Sequence, residues 1–93
     1  MAMPNIFYPF MTKKARKNVK CKGYKNWDTW VCGVVMSTDY NTFNYVRGNK
    51  NYILTLPKEK KIKMLNAYSH GMLKEVCIRN VDANELNKQI VEL

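Results

Sequence analysis

The chain has no Cys-x-x-Cys pair and only one histidine, His70. Its three cysteines, Cys21, Cys32 and Cys77, would leave one thiol over after any disulfide, so we expect all three to be free and reduced. A zinc site needs about four ligands at short spacing, which this set does not supply. We therefore expect no metal site and no cofactor.

Long apolar runs are missing as well. The longest apolar stretch, Val31 to Met36, is far shorter than the roughly 18 residues that span a bilayer. The first ten residues place their apolar side chains and two prolines ahead of the basic charges, which is not the order of a secretory signal. We therefore expect a cytoplasmic protein with no membrane partner.

The groups that catalysis requires are not assembled in this sequence. The four glycines form no phosphate-binding loop, and the seven acidic residues are scattered along the chain. Ser69 and His70 are neighbours in sequence, but adjacent helical residues point about 100° apart and do not form a dyad. We expect a protein that is not an enzyme.

Acidic residues are absent from the first quarter of the chain. Asp28 is the first of them, whereas seven lysines and arginines lie between Lys13 and Lys25. Residues 1–25, which we call the arm, carry most of the net charge of +9, while basic and acidic residues nearly balance in residues 26–93. The positive electric field of these residues favours encounter with nucleic acid or with another polyanion, although a basic run can also be a solubilising tail. Counter-charge on a surface would allow Thr12 to Val19 to become helical.

Apolar spacing predicts a mainly α fold. Residues 1–25 form a basic, aromatic-tipped arm, and residues 26–93 form one small domain of three to four short helices. The first helix, capped by Asn26 or Asp28, would bury Trp27, Trp30, Val31, Val34 and Val35. A second would follow Asp39 and end near Gly48, a third would run from Pro57 to His70, and a fourth would follow a capping box at Asp82 to Glu85. Residues 49–51 read as a turn, and residues 52–56 and 72–81 leave room for one short two-stranded β element.

The segment Tyr24-Lys25-Asn26-Trp27-Asp28-Thr29-Trp30, followed by 39–44 and by 81–87, resembles a group of small phage and mobile-element proteins. That group is marked by Asn-Trp-(Asp/Glu)-Thr-Trp, an apolar helix and an Asn-Asp turn. The chain departs from the pattern at residues 37–39 and in its long basic arm. The resemblance implies a phage-type accessory protein that acts on host machinery in the host-cell cytoplasm. It implies no activity.

Two interpretations of function follow, and both are binding functions. The protein binds and inhibits or modulates a host protein or nucleoprotein complex, with aromatic side chains as anchors. Alternatively, it binds the phosphate backbone of DNA or RNA with weak sequence preference, because lysines outnumber arginines. A virion-associated or oligomeric structural protein is a third possibility. The Trp27–Trp30 pair is either a partner hot spot or, as the helical spacing favours, part of the core. The residues expected to bind a partner or nucleic acid are Lys13, Lys14, Arg16, Lys17, Lys20, Lys22, Lys25, Lys60, Lys61, Phe7, Tyr8, Phe10, Trp27 and Trp30, with Lys58 and Lys63 beside Lys60 and Lys61.

Overall fold

The computed structural model describes residues 11–93, and these form six α-helices and one 3₁₀ turn without a β-strand. The mainly α fold is therefore confirmed. The elements are α1 (Lys13–Arg16), α2 (Trp27–Thr38), α3 (Tyr40–Gly48), α4 (Lys50–Leu54), α5 (Lys58–Tyr68), the 3₁₀ turn Ile78–Asn80 and α6 (Ala83–Val91). Within residues 11–93, none of these helices is long and apolar enough to cross a membrane.

Helix α2 lies at the centre of the fold and packs against α3, α5, α6 and the 3₁₀ turn. Asn26 caps it, because the Asn26 side chain accepts a hydrogen bond from the Thr29 N–H. The predicted buried face of α2 is correct for two of its five residues. Trp27 and Val35 are buried as expected, but Cys32 and Met36 are fully buried too, whereas Trp30, Val31 and Val34 are partly exposed. The buried side chains of α2 therefore extend beyond a single apolar stripe.

The described part of the predicted arm belongs to the domain. Arg16 is 3% exposed and Cys21 is 2% exposed, so both side chains lie within the folded core. Helix α1 falls inside the segment for which counter-charge was expected to induce a helix, and that counter-charge is Asp28 of the same chain. A domain beginning at residue 26 is thus too short, because residues 16 and 21 are already part of its core.

The predicted β element is wrong. Lys50–Leu54 is a short helix that buries Ile53 and leaves Tyr52 exposed, and the expected turn at residues 49–51 is taken up largely by its start. Residues 72–81 run through turns into the 3₁₀ turn. A short apolar run ahead of a proline fits either a strand or a helical turn, so periodicity alone could not decide between them.

The remaining helix ends lie close to their predicted places. Asp39 caps α3, and α5 begins one residue after Pro57 and ends at Tyr68, just before His70 and Gly71. Asp82 caps α6, since its carboxylate accepts from the Glu85 N–H. The reciprocal half of the predicted capping box is missing, because the Glu85 carboxylate accepts from the Lys25 N–H instead.

A basic groove above a buried polar hub

A buried ion pair joins the arm to α2. Arg16 donates from Nε and Nη2 to the two carboxylate oxygens of Asp28, at 3.0 and 2.7 Å, and both side chains are almost completely buried. The same carboxylate accepts from the Cys77 N–H and from the Asn80 side-chain amide. Arg16 also donates to the Glu75 carbonyl, and its guanidinium lies 4.9 Å from the centre of the Trp27 ring. These four hydrogen bonds use all four lone-pair positions of the buried Asp28 carboxylate.

Asn26 and Thr29 extend this arrangement on the same turn of helix, and both are fully buried. The Asn26 amide donates to the carbonyls of Lys17 and Asn80, while its oxygen accepts from the backbone N–H and the hydroxyl of Thr29. The Thr29 hydroxyl in turn accepts from the Asp82 N–H. We call Arg16, Asn26, Asp28, Thr29 and Asn80 the polar hub. It ties the arm, α2 and the segment around the 3₁₀ turn together.

A wide groove opens at the surface next to this hub, with a volume of about 880 Å³. Five basic side chains surround it and one acidic side chain, Glu59, accompanies them. Among residues 11–93 the ion pair of the hub is the one salt bridge, so no described carboxylate pairs with these five cations. We call this the basic groove. Its lining residues are Lys13, Lys14, Lys17, Lys58, Glu59, Val76, Cys77, Ile78, Arg79 and Asn80.

The hub fixes the walls of the groove through backbone atoms. The carbonyl of Lys13 accepts from the Asn80 amide at 2.9 Å, and the carbonyl of Lys17 accepts from the Asn26 amide at 2.9 Å. The side chains of these two lysines stay exposed. Lys58, which also lines the groove, donates from Nζ to the carbonyl of Val81 at 2.9 Å. Polar groups in the interior thus hold three segments, distant in sequence, around one basic surface.

The predicted binding residues divide into several sets. Lys13, Lys14 and Lys17 line the groove together with Lys58. Lys20, Lys22, Lys25, Lys60 and Lys63 are exposed but lie outside the groove lining. Arg16 and Lys61 are buried, and Lys61 donates from Nζ to the Asn87 side chain at 2.6 Å. Phe7, Tyr8 and Phe10 lie outside the described residues. Arg79 was missed because it is an isolated cation in sequence.

The two tryptophans do not form an exposed pair. Trp27 is 6% exposed and packs under Arg16, so the structure supports its place in the core and contradicts its use as a surface anchor. Trp30 is half-buried and lines a separate cavity between α2 and α6. Trp27 is thus part of the core, as the helical spacing favours, and Trp30 remains partly exposed at a surface.

The reactive groups of the sequence are placed as follows. Cys21 and Cys32 are buried, Cys77 is partly exposed in the groove, and all three thiols are free. Burial raises the pKa of Cys32 to about 12, with the nearby Asp28 carboxylate adding to the effect. Ser69 is buried and donates to the Asn66 carbonyl, while His70 is exposed. Residues 11–93 contain no group of three His, Cys, Asp or Glu side chains placed to hold a metal ion.

Residues 11–93 thus define a small all-helical protein with one strongly basic groove. Comparison of the chain with protein-family models, with curated proteins and with solved structures found no match.

Proposed function

We propose that the protein is a non-enzymatic binding module that holds the phosphate backbone of a nucleic acid in the basic groove. The observation that carries this proposal is the convergence of five cations, at positions 13, 14, 17, 58 and 79, around one concave surface. These cations have no described carboxylate partner, and concentrated like charge of this kind is relieved by an anionic ligand.

The residue types favour backbone contacts over base reading. Four of the five cations are lysines, which bind phosphate as point charges and lack the planar fork that reads guanine. Binding should therefore depend little on sequence and steeply on salt, with about one logarithmic unit of affinity lost per logarithmic unit of salt for each phosphate contacted.

The first test compares two variants that remove the same charge. In the groove variant Lys13, Lys14 and Lys17 become Ala, and in the control variant Lys25, Lys60 and Lys88 become Ala; the control residues are exposed and lie outside the groove lining. Fluorescence anisotropy with a labelled mixed-sequence oligonucleotide would be measured from about 50 to 300 mM salt. We expect the groove variant to lose at least about tenfold in affinity and about three units of salt slope, and the control to lose far less.

Equal losses in both variants would mean that diffuse charge, and not the groove, attracts the nucleic acid. A second readout locates the ligand directly. Cys77 lines the groove and is partly exposed, whereas Cys21 and Cys32 are buried. Iodoacetamide should therefore alkylate Cys77 first, and bound oligonucleotide should slow that reaction. Unchanged alkylation at saturating oligonucleotide would place the binding site elsewhere.

The host-directed inhibitor or adaptor stays a second proposal, and one observation supports it. Tyr40 is 76% exposed and Tyr52 is 59% exposed, so large aromatic side chains remain available to a protein partner although Trp27 is not. A phage origin and a cytoplasmic location, in the host cell, belong to this proposal, and the three free thiols support the location. The two proposals merge if the target is a nucleoprotein complex.

A pull-down from bacterial lysate separates these two proposals. Tagged protein would be incubated with nuclease-treated and untreated halves of one lysate, and captured material identified by mass spectrometry. A discrete protein that survives nuclease, and that is lost from a Tyr40→Ala, Tyr52→Ala variant, would support the host-directed function. Material that disappears with nuclease and with the groove variant would support nucleic-acid binding.

A further inference from the structure

A second cavity, of about 290 Å³, lies between α2 and α6, and its lining contains no basic side chain. This is unexpected in a protein of net charge +9. Tyr24 and Trp30 provide aromatic surface, and Glu92 provides a carboxylate. We call it the Trp30 cavity. It shares no lining residue with the basic groove.

Both helices end at this cavity. The Asp82 N–H donates to the Thr29 hydroxyl near the start of α2 and α6, and the Gln89 side chain lies against Gly33 further along both. The two helices therefore run parallel. Ser37, in the last turn of α2, and Glu92, just after α6, line the cavity. Two helix C-termini side by side contribute negative potential here, which favours a cation and opposes the field of Lys22 and Lys88 in the adjoining pocket.

The polar groups of the cavity include a hydrogen-bond acceptor that no donor in the described structure satisfies. Gln89 is 7% exposed, its amide nitrogen donates to the Thr29 carbonyl, and its oxygen Oε1 has no hydrogen-bond partner in the described structure. The Ser37 hydroxyl already donates to the carbonyls of Gly33 and Val34, so only its lone pairs remain. A buried acceptor that lacks a donor is uncommon and calls for a ligand or water that supplies one.

We propose that the Trp30 cavity binds the guanidinium group of an arginine side chain presented by a partner protein. A guanidinium is planar and cationic, so it can stack on Trp30 while its fork of N–H groups donates to the Glu92 carboxylate and to Gln89 Oε1. Because Oε1 is buried and the amide nitrogen is bonded to the Thr29 carbonyl, this second contact requires the Gln89 amide to turn and that bond to break. The volume suits one side chain and not a whole peptide segment. This inference is independent of nucleic-acid binding, because the groove takes anions at a different site.

The test uses three small probes that differ in one group: butylguanidinium, its neutral isostere butylurea, and butylammonium. Each is titrated into ¹⁵N-labelled full-length protein while the two tryptophan indole signals are followed by NMR. We expect saturable shifts of the Trp30 signal with butylguanidinium, weaker shifts with butylammonium and none with butylurea. The Trp27 signal is the internal control, since Trp27 does not line the cavity.

Matched charge variants complete the test. Glu92→Gln should weaken butylguanidinium binding about two- to fivefold, while Glu75→Gln, an exposed site outside both the Trp30 cavity and the basic groove, should leave it unchanged. Equal shifts by butylurea would show apolar contact without cation recognition and overturn the proposal. Equal binding of butylammonium would overturn the assignment to a guanidinium. Absence of a saturable Trp30 shift, or equal movement of Trp27, would overturn the site itself.

Discussion

Replacing Asp28 by Asn tests whether the polar hub holds the fold together. The change removes the charge that Arg16 faces and puts an amide N–H₂ among groups that are themselves donors, from Arg16, Cys77 and Asn80. Asp28 is fully buried and Arg16 nearly so, which leaves a guanidinium in the interior without a counter-charge. Removing one partner of a buried ion pair destabilises a protein by roughly 3–5 kcal/mol. A domain of 93 residues has only roughly 5–14 kcal/mol of stability in total.

Urea unfolding followed by tryptophan fluorescence measures this loss, and Trp27 beside Arg16 is a suitable reporter. With an m-value of about 1 kcal/mol per M, the midpoint should fall by about 3–5 M, and at the low end of the stability range part of the variant is unfolded without urea. Asp39→Asn is the matched control. Asp39 caps α3, a role that Asn fills nearly as well, so the urea midpoint of this control should move far less. Adding Arg16→Met to Asp28→Asn should recover part of the stability, because the unpaired charge is gone. If Asp28→Asn were no more harmful than Asp39→Asn, the hub would not be a stabilising centre.

Two further predictions concern α2 and its neighbours. A Cβ at Gly33 would lie 2.7 Å from the Gln89 amide nitrogen and must displace that side chain. Overpacking of about 1–3 kcal/mol, less about 1 kcal/mol of helix propensity gained, should leave Gly33→Ala destabilised by roughly 0–2 kcal/mol in thermal unfolding. Gly48→Ala meets nothing within 4 Å and should be neutral or slightly stabilising, and equal effects of the two changes would contradict the close packing of α2 and α6. The pKa of Cys32 is raised from 9.0 to about 12, so the stabilisation linked to its protonated thiol is complete below pH 9 and is lost as pH rises through 12. The free energy of unfolding should therefore fall by about 1.4 kcal/mol per pH unit in that range under reducing conditions, and Cys32→Ala should remove this contribution. An identical alkaline slope in the Cys32→Ala variant would refute the assignment.

The sequence predicted the helices where local signals were strong. Asn26, Asp39 and Asp82 each precede a helix and each caps it, because a short polar side chain at that position satisfies free backbone N–H groups. Long-range partners were out of reach. In the sequence, Arg16 is one of several cations in a basic segment. No local signal indicates that Arg16 is buried in an ion pair with Asp28, twelve residues later. Arg79 likewise joins the basic groove only through the folding of residues 75–82 onto the hub.

Most of the Asn-Trp-Asp-Thr-Trp motif, residues 26–30, lies in the interior of the fold. Asn26, Asp28 and Thr29 are fully buried, and their hydrogen bonds end on the arm and on residues 77–82 of the same chain. A partner cannot touch these three side chains in the folded protein, so the motif specifies how the arm and the 3₁₀ turn are fastened to α2. The proposed binding function depends instead on side chains such as those of Lys13 and Lys17, whose backbone carbonyls accept hydrogen bonds from the hub and whose side chains stay exposed.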